Sequence, residues 1–222
     1  MICAFALRLS AGAVFLAGLA ASSPAPALVE KVMTVCSGQL CPFFKPAFAV
    51  PAGWYEDHKT GMRLGVRLLV PLGENFDTAP AIIYATARHN LEGEDLAGAV
   101  AQHQESLRRK IPDVAITRLG DVAGANGSAF QQHEFVSPRL ATQPYERVAM
   151  ATDSDADGNS YVVRLVLTAK SEAVLQSTEE TFLALLMGYC GIRTRPGCNP
   201  ARLSGRGSAL RRDLLTLRID VC

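Results

Sequence analysis

Histidine is scarce in this chain: His58, His89, His103 and His133 are the only four in 222 residues. None stands in an H-x-x-x-H or H-E-x-x-H pattern, so a zinc hydrolase lacks its ligands. A nucleophile elbow needs G-x-S-x-G on a strand-to-helix turn, and neither "GANGSAF" nor "SGRGSAL" supplies one. The G-x-x-x-x-G-K-[ST] phosphate loop is missing too. No stretch after residue 27 reaches the roughly 20 apolar residues that cross a bilayer as a helix. An excess of one charge is also lacking, since 22 basic and 21 acidic residues leave +1. These absences exclude the enzyme classes that a compact motif would betray, and no catalytic residue is assigned.

The balanced charge hides an uneven distribution. Residues 28–190 hold 14 basic and 19 acidic side chains, net −5, and residues 191–222 hold seven Arg and two Asp, net +5. The N-terminus has one cation at Arg8, a thirteen-residue run of small and apolar residues from Leu9 to Ala21, and then Ala25-Pro26-Ala27. That order is the pattern of a secretory signal peptide, residues 1–27, cleaved after Ala27. The expected location is periplasmic or secreted. The alternative, an uncleaved membrane anchor, has too short an apolar run.

Export changes what the cysteines mean. Cys36, Cys41, Cys190, Cys198 and Cys222 remain after Ala27. An oxidising compartment favours disulfides over thiols or zinc. "CSGQLC" is looser than a C-x-x-C knuckle and has no histidine close by. A bridge from Cys36 to Cys41 and one from Cys41 to Cys190 both fit, and an odd count leaves one cysteine over.

Along the chain, residues 28–44, with Cys36 and Cys41, show no sustained period and read as a leader to the domain. "FKPAFAVPAGWYEDH" reads as a short strand, a turn and a second extended run. Strands follow near 63–70 and 81–88, the latter apolar enough to be buried on both faces. "NLEGEDLAGAVAQHQESLRRKIP" puts Leu96, Val100, His103 and Leu107 at helical spacing, with acid first and base last, so a helix is expected over 93–110. Further strands are expected at 114–119, 128–136, 144–152 and 160–169. Ser171 then caps a helix whose apolar side is Val174, Leu175, Phe182, Leu185 and Leu186. Short connections between neighbouring strands imply antiparallel pairing. The predicted fold class is α+β, an antiparallel β-sheet flanked by helices.

Over residues 45–190 the order of "FAVPAGWYE", "LGVRLLVP", "LAGAVAQHQESL", "LGDVAGANGSAFQQHEF", "ERVAMATDSDADGNSYVVRLVLTA" and "FLALLMGYC" resembles the PsbP-like family of small exported domains, which includes DcrB-related bacterial proteins. The resemblance implies an α/β/α sandwich and an accessory, non-catalytic binding role. It brings no functional residues with it.

The one motif with chemistry in it is "TDSDADGN". Asp153, Asp155, Asp157 and Asn159 copy the start of a calcium loop, but the twelfth position, where a bidentate Glu belongs, is Arg164. Both flanks alternate like strands, and Asp-Gly favours a tight hairpin turn. The turn is the leading expectation, with a low-affinity calcium site as the alternative. No other cofactor is expected. His103 is expected to pack on the apolar side of its helix, and His133 and Glu134 to point to opposite faces of a strand. Trp54 is expected to anchor an edge of the core. Residues 191–222 read as a basic, flexible tail, or as a contact for anionic lipid. The expected function is an exported non-catalytic accessory domain that binds an envelope protein or a small ligand, without nucleic acid. The alternatives are an envelope hydrolase using residues such as His89, Asp95 and His133, or a domain held at a membrane surface by its basic tail.

Overall fold

The computed structural model describes residues 31–36, 39–44, 46, 48–137, 142–155 and 157–192, the two segments before residue 45 through their backbone. The elements in chain order are β1 (Lys31–Cys36), β2 (Gln39–Phe44), β3 (Trp54–Glu56), α1 (His58–Leu64), β4 (Arg67–Pro71), β5 (Ala81–His89) and α2 (Leu96–Lys110). There follow β6 (Ala115–Arg118), β7 (Val122–Ala123), β8 (Ala129–Val136), β9 (Tyr145–Ser154), β10 (Ser160–Ala169) and α3 (Glu172–Met187). One sheet runs β3-β4-β5-β10-β9-β8-β6, with β7 also on β8, and β1 pairs with β2 alone. Every pairing is antiparallel. The fold is α+β, as the order of the sequence patterns predicts.

Alternation along β10 divides the core into two layers. Tyr161, Val163, Leu165 and Leu167 pack with Leu175, Phe182, Leu185 and Leu186 of α3. Val162 and Val166 point the other way, to Ala99 and Val100 of α2 with Phe135, Val148 and Met150. The sheet is therefore sandwiched between α2 and α3. Leu68, Val70, Ala79 and Ile82 form a smaller apolar group at the β4 end. Trp54 packs half-buried at the edge of the α3 layer.

The helix ends follow their capping chemistry. Asp95 accepts a hydrogen bond from the Gly98 amide at 2.7 Å and starts α2. Arg108, Arg109 and Lys110 lie at its negative end. Ser171 Oγ accepts from the Val174 amide at 3.3 Å and starts α3. α2 thus begins three residues later than its acidic sequence suggests.

Two segments differ from the sequence reading. Between the extended run expected at Trp54 and Tyr55 and the strand expected near 63–70 lies α1, which Asp57 opens by accepting from the Thr60 amide at 3.0 Å and Gly65 closes at φ +67°. Gly61 in its middle weakens the helical signal, but a Cβ there would lie 2.7 Å from the Val66 carbonyl oxygen. Close passage of the next strand requires glycine at that point. The leader, residues 28–44, holds the β1–β2 hairpin, in register from Lys31↔Phe44 to Cys36↔Gln39. The core also extends past residue 190, since Ile192 is buried in the α3 layer. Among the described residues no helix is long and apolar enough to cross a membrane.

Candidate functional site

Register decides what faces α2. On β10, Arg164 stands between Thr86 of β5 and Met150 of β9, and Val162 stands between Arg88 and Thr152. Val162 and Met150 belong to the α2 layer, so Arg164, Thr86 and Arg88 face α2 as well. Above them, Ala99, Gln102, His103, Ser106 and Arg109 recur at three- and four-residue spacing and form one stripe of α2. A cleft of about 350 Å³ lies between helix and sheet, lined by these residues. That volume suits a small molecule.

The charges in the cleft are unequal. Arg88 pairs with Glu94 at 3.2 Å and Arg109 with Glu105 at 3.1 Å, both at the exposed rim. Arg164 is half-buried and has no carboxylate within ion-pair distance among the described residues. Its Nη1 lies 3.4 Å from His103 Nδ1. A guanidinium only donates, so Nδ1 accepts and the imidazole proton sits on Nε2. Burial, reinforced by the charge of Arg164 and then by His133 and Lys110, lowers the His103 pKa to about 4. The ring is neutral at pH 7. It meets Phe135 edge-on at 5.7 Å. Arg164 Nε and His103 Nε2 are both buried without a hydrogen-bond partner, as are Nε and Nη1 of Arg147 on the other face. Such orphaned donors are uncommon in a finished interior.

Farther along the same face, Glu146 and Tyr84 extend the polar strip. Burial raises the Glu146 pKa, against the pull of Arg164, and burial also raises that of Tyr84. Among the described residues no hydroxyl of the cleft is hydrogen-bonded to a histidine, the pairing that activates a hydroxyl nucleophile. An apolar hollow of about 370 Å³ lies on the other side, between residues 48–52 and α3, with Phe48, Val50 and Leu185 among its walls.

Asp155 spends its carboxylate within the acidic hairpin. β9 and β10 end at the pair Ser154↔Ser160, so the loop between them has five residues, longer than the Asp-Gly pair alone suggests. Asp155 accepts from the amides of Asp157 and Asn159 at 2.9 Å each, from Asn159 Nδ2 at 2.8 Å and from the Tyr161 hydroxyl at 3.0 Å. Burial pushes its pKa up, but the bonds from Asn159, Tyr161 and Asp157 outweigh it and hold the carboxyl below its usual value. Asp153 turns elsewhere: it accepts from the Tyr189 hydroxyl at 3.0 Å, the Ile192 amide at 2.9 Å and Asn126 Nδ2 at 3.3 Å. Asp157 is exposed and donates its amide to the loop. Among the described residues no group of three His, Cys, Asp or Glu is placed to hold a metal.

His89, Asp95 and His133 are not brought together. His89 stacks on Tyr161 at 5.1 Å on the α3 side of the sheet. His133 tilts against Phe135 on the α2 side, and Asp95 caps α2. Glu134 faces away from His133, toward Arg147 at 2.7 Å. Cys190 is buried just beyond α3. The side chains of Cys36 and Cys41, the segment 1–27 and the tail from residue 193 lie outside the described residues. Sequence reasoning missed Arg164 as a site residue. Its signal was a lone cation inside the apolar run "VVRLVL".

No family model matches the chain, and no curated protein matches it. Among solved structures it is similar to the Ran-binding protein Mog1p of Saccharomyces cerevisiae, at 14% identity and a TM-score of 0.38, over 69% of this chain and 84% of that one. A likeness of that size carries no argument about what this chain binds.

Proposed function

We propose that this protein is an exported, non-catalytic accessory domain that holds a small anionic ligand in the cleft between α2 and the sheet. The observation that carries the reading is Arg164, a half-buried cation beside a cavity, with an unpartnered Nε and a neutral histidine as its neighbour. Burying a guanidinium without a counter-charge opposes folding. An anion that enters the cleft removes that penalty, so binding and stability rise together.

Export rests on the N-terminal pattern of Arg8, an apolar run and Ala25-Pro26-Ala27. A bridge from Cys41 to Cys190, or from Cys36 to Cys41, belongs to the same reading, because an oxidising compartment favours disulfides. The accessory role also follows the resemblance of residues 45–190 to the PsbP-like domains.

Two measurements test the proposal. Mass spectrometry of the protein from its native envelope is expected to show a chain beginning at Leu28. Melting curves of that mature chain against a panel of small anions are expected to rise with concentration, by about 2.7 kcal/mol of stability at a hundredfold excess over Kd. A chain that retains residues 1–27 overturns export, and a panel that leaves the melting temperature unmoved overturns the ligand site.

A further inference from the structure

We infer that the anion fitting this cleft is a monovalent carboxylate with a short apolar body, not a phosphate. The inference rests on the cleft being a ligand site and specifies its chemistry.

The charge around the cleft sets the valence. Arg88 and Arg109 are each matched by a carboxylate, Glu94 and Glu105. His103 contributes no charge, because it accepts at Nδ1 from Arg164. Among the lining residues, Arg164 is the cation with no carboxylate at ion-pair distance in the described residues, and on the same face burial disfavours the charged form of Glu146. A carboxylate neutralises Arg164, whereas a phosphate group carrying about −1.5 to −2 at pH 7 leaves an excess anion in a half-buried site.

Donor geometry agrees. Nη1 of Arg164 is turned to His103, and on the other edge of the guanidinium Nε is buried without a hydrogen-bond partner, so a ligand reaches the Nε and Nη2 edge once the side chain shifts toward the cleft. Two parallel N–H donors on one edge match the two oxygens of a carboxylate. His103 lines the same cleft, with its Nε2 buried in the wall and without a hydrogen-bond partner.

The walls define the rest of the molecule. Met150, Val162 and Ala99 supply apolar surface, and Thr86 and Ser106 are the small hydroxyl groups among the lining. A branched chain of a few carbons fits about 350 Å³ beside its headgroup, with apolar contact supplying affinity and the guanidinium supplying orientation.

The test uses the mature full-length chain with arginine labelled at Nε, titrated at pH 7 with 2-methylpropanoate, its neutral amide and inorganic phosphate, and followed by NMR. The carboxylate is expected to shift Arg164 Nε–H and the amides of residues 99–109 saturably. The amide is expected to bind at least about tenfold more weakly, the loss of one charge-assisted pair. Arg164→Gln is expected to weaken carboxylate binding by a similar factor, and Arg88→Gln by less than about threefold. The wild-type comparison of acid with amide needs no variant, so misfolding of Arg164→Gln cannot obscure the result. Phosphate binding at Arg164 more tightly than the carboxylate overturns the ligand class and leaves the site standing. Equal binding of acid and amide overturns the role of Arg164. If none of the three moves Arg164 or α2 at millimolar concentration, the site itself is overturned.

Discussion

Arg147 and Arg164 stand on neighbouring central strands, three residues apart by register, because Arg147 pairs with Leu167 on β10. Three is odd, so they face opposite sides of the sheet. Arg147, with a side chain only 8% exposed, enters the α3 layer and meets Glu134 on β8 and Glu179 on α3. Arg164 enters the α2 layer and meets a neutral imidazole. One face neutralises its buried cation from within the chain. The other leaves its cation beside a cavity. The α3 face thus answers its buried cation with two carboxylates of the chain, and the α2 face holds its cation beside a polar cleft.

The contrast predicts unequal costs. Phe182 is fully buried in the α3 layer, so Phe182→Ala should destabilise by about 3–5 kcal/mol in urea unfolding. Val100→Ala on the α2 side should cost less, roughly 1–2 kcal/mol, because it removes less buried volume. Equal losses at the two positions would mean that the two layers are not packed as their buried side chains indicate. Next in size is Arg147→Met, which strands Glu134 and Glu179 without their cation and should cost about 3 kcal/mol. A loss under about 1 kcal/mol would mean that these pairs behave as surface ion pairs.

Much of this contrast could be anticipated, and the cleft itself could not. The strands β5, β8, β9 and β10 and the helices α2 and α3 show in the sequence because their apolar periods are long and their caps, Asp95 and Ser171, are conventional ones. α1 is hidden by Gly61, whose low helix propensity masks a need for close backbone approach. β1 and β2 are hidden because "KVMTVC" and "QLCPFF" carry no clean alternation. Arg164 is visible as a residue, but β10 is apolar on both faces, so no period tells which helix it meets. That depends on register with Thr86 and Met150, a long-range fact. The aspartates show the reverse. Their spacing suggests a ligand shell, whereas Asp155 folds the loop and Asp153 fastens residues 189–192 to the sheet.

The neutral histidine adds a pH signature to the α2 face. The His103 pKa falls from an ordinary 6.5 to about 4 in the fold. Between those values the unfolded chain binds the proton and the folded chain does not, so stability rises with pH there. The contribution is complete above pH 6.5 and is lost as pH falls toward 4. Solvent screening of this half-buried ring reduces the effect to about 1 kcal/mol. His133 is shifted the same way by burial, so the measurement is a difference: urea unfolding of wild type and His103→Gln at pH 6.5 and 4.5. The wild type should lose more. Asp155, held below its ordinary value of 3.8, loses its share only at lower pH and does not enter this window. Identical losses in the two proteins would mean that the imidazole is not kept neutral by its surroundings.

The smallest effect is the most telling one. Arg164→Met removes a half-buried charge with no carboxylate partner and replaces it with an apolar chain of similar length beside Met150 and Val162. It breaks no ion pair within contact distance, takes from buried Glu146 only the longer-range pull of the guanidinium, and costs His103 a contact at 3.4 Å. The ligand-free variant should therefore lie within about 1 kcal/mol of wild type, on the stable side if either. Set against the loss of about 3 kcal/mol for Arg147→Met, this makes two arginines in one sheet unequal by about two orders of magnitude in folding equilibrium. A large loss at Arg164 would show that the α2 face already neutralises its cation, and the case for an anion in the cleft would fail with it. A neutral result leaves the arginine without a structural reason for its place, and a charge that folding does not need is available to a ligand.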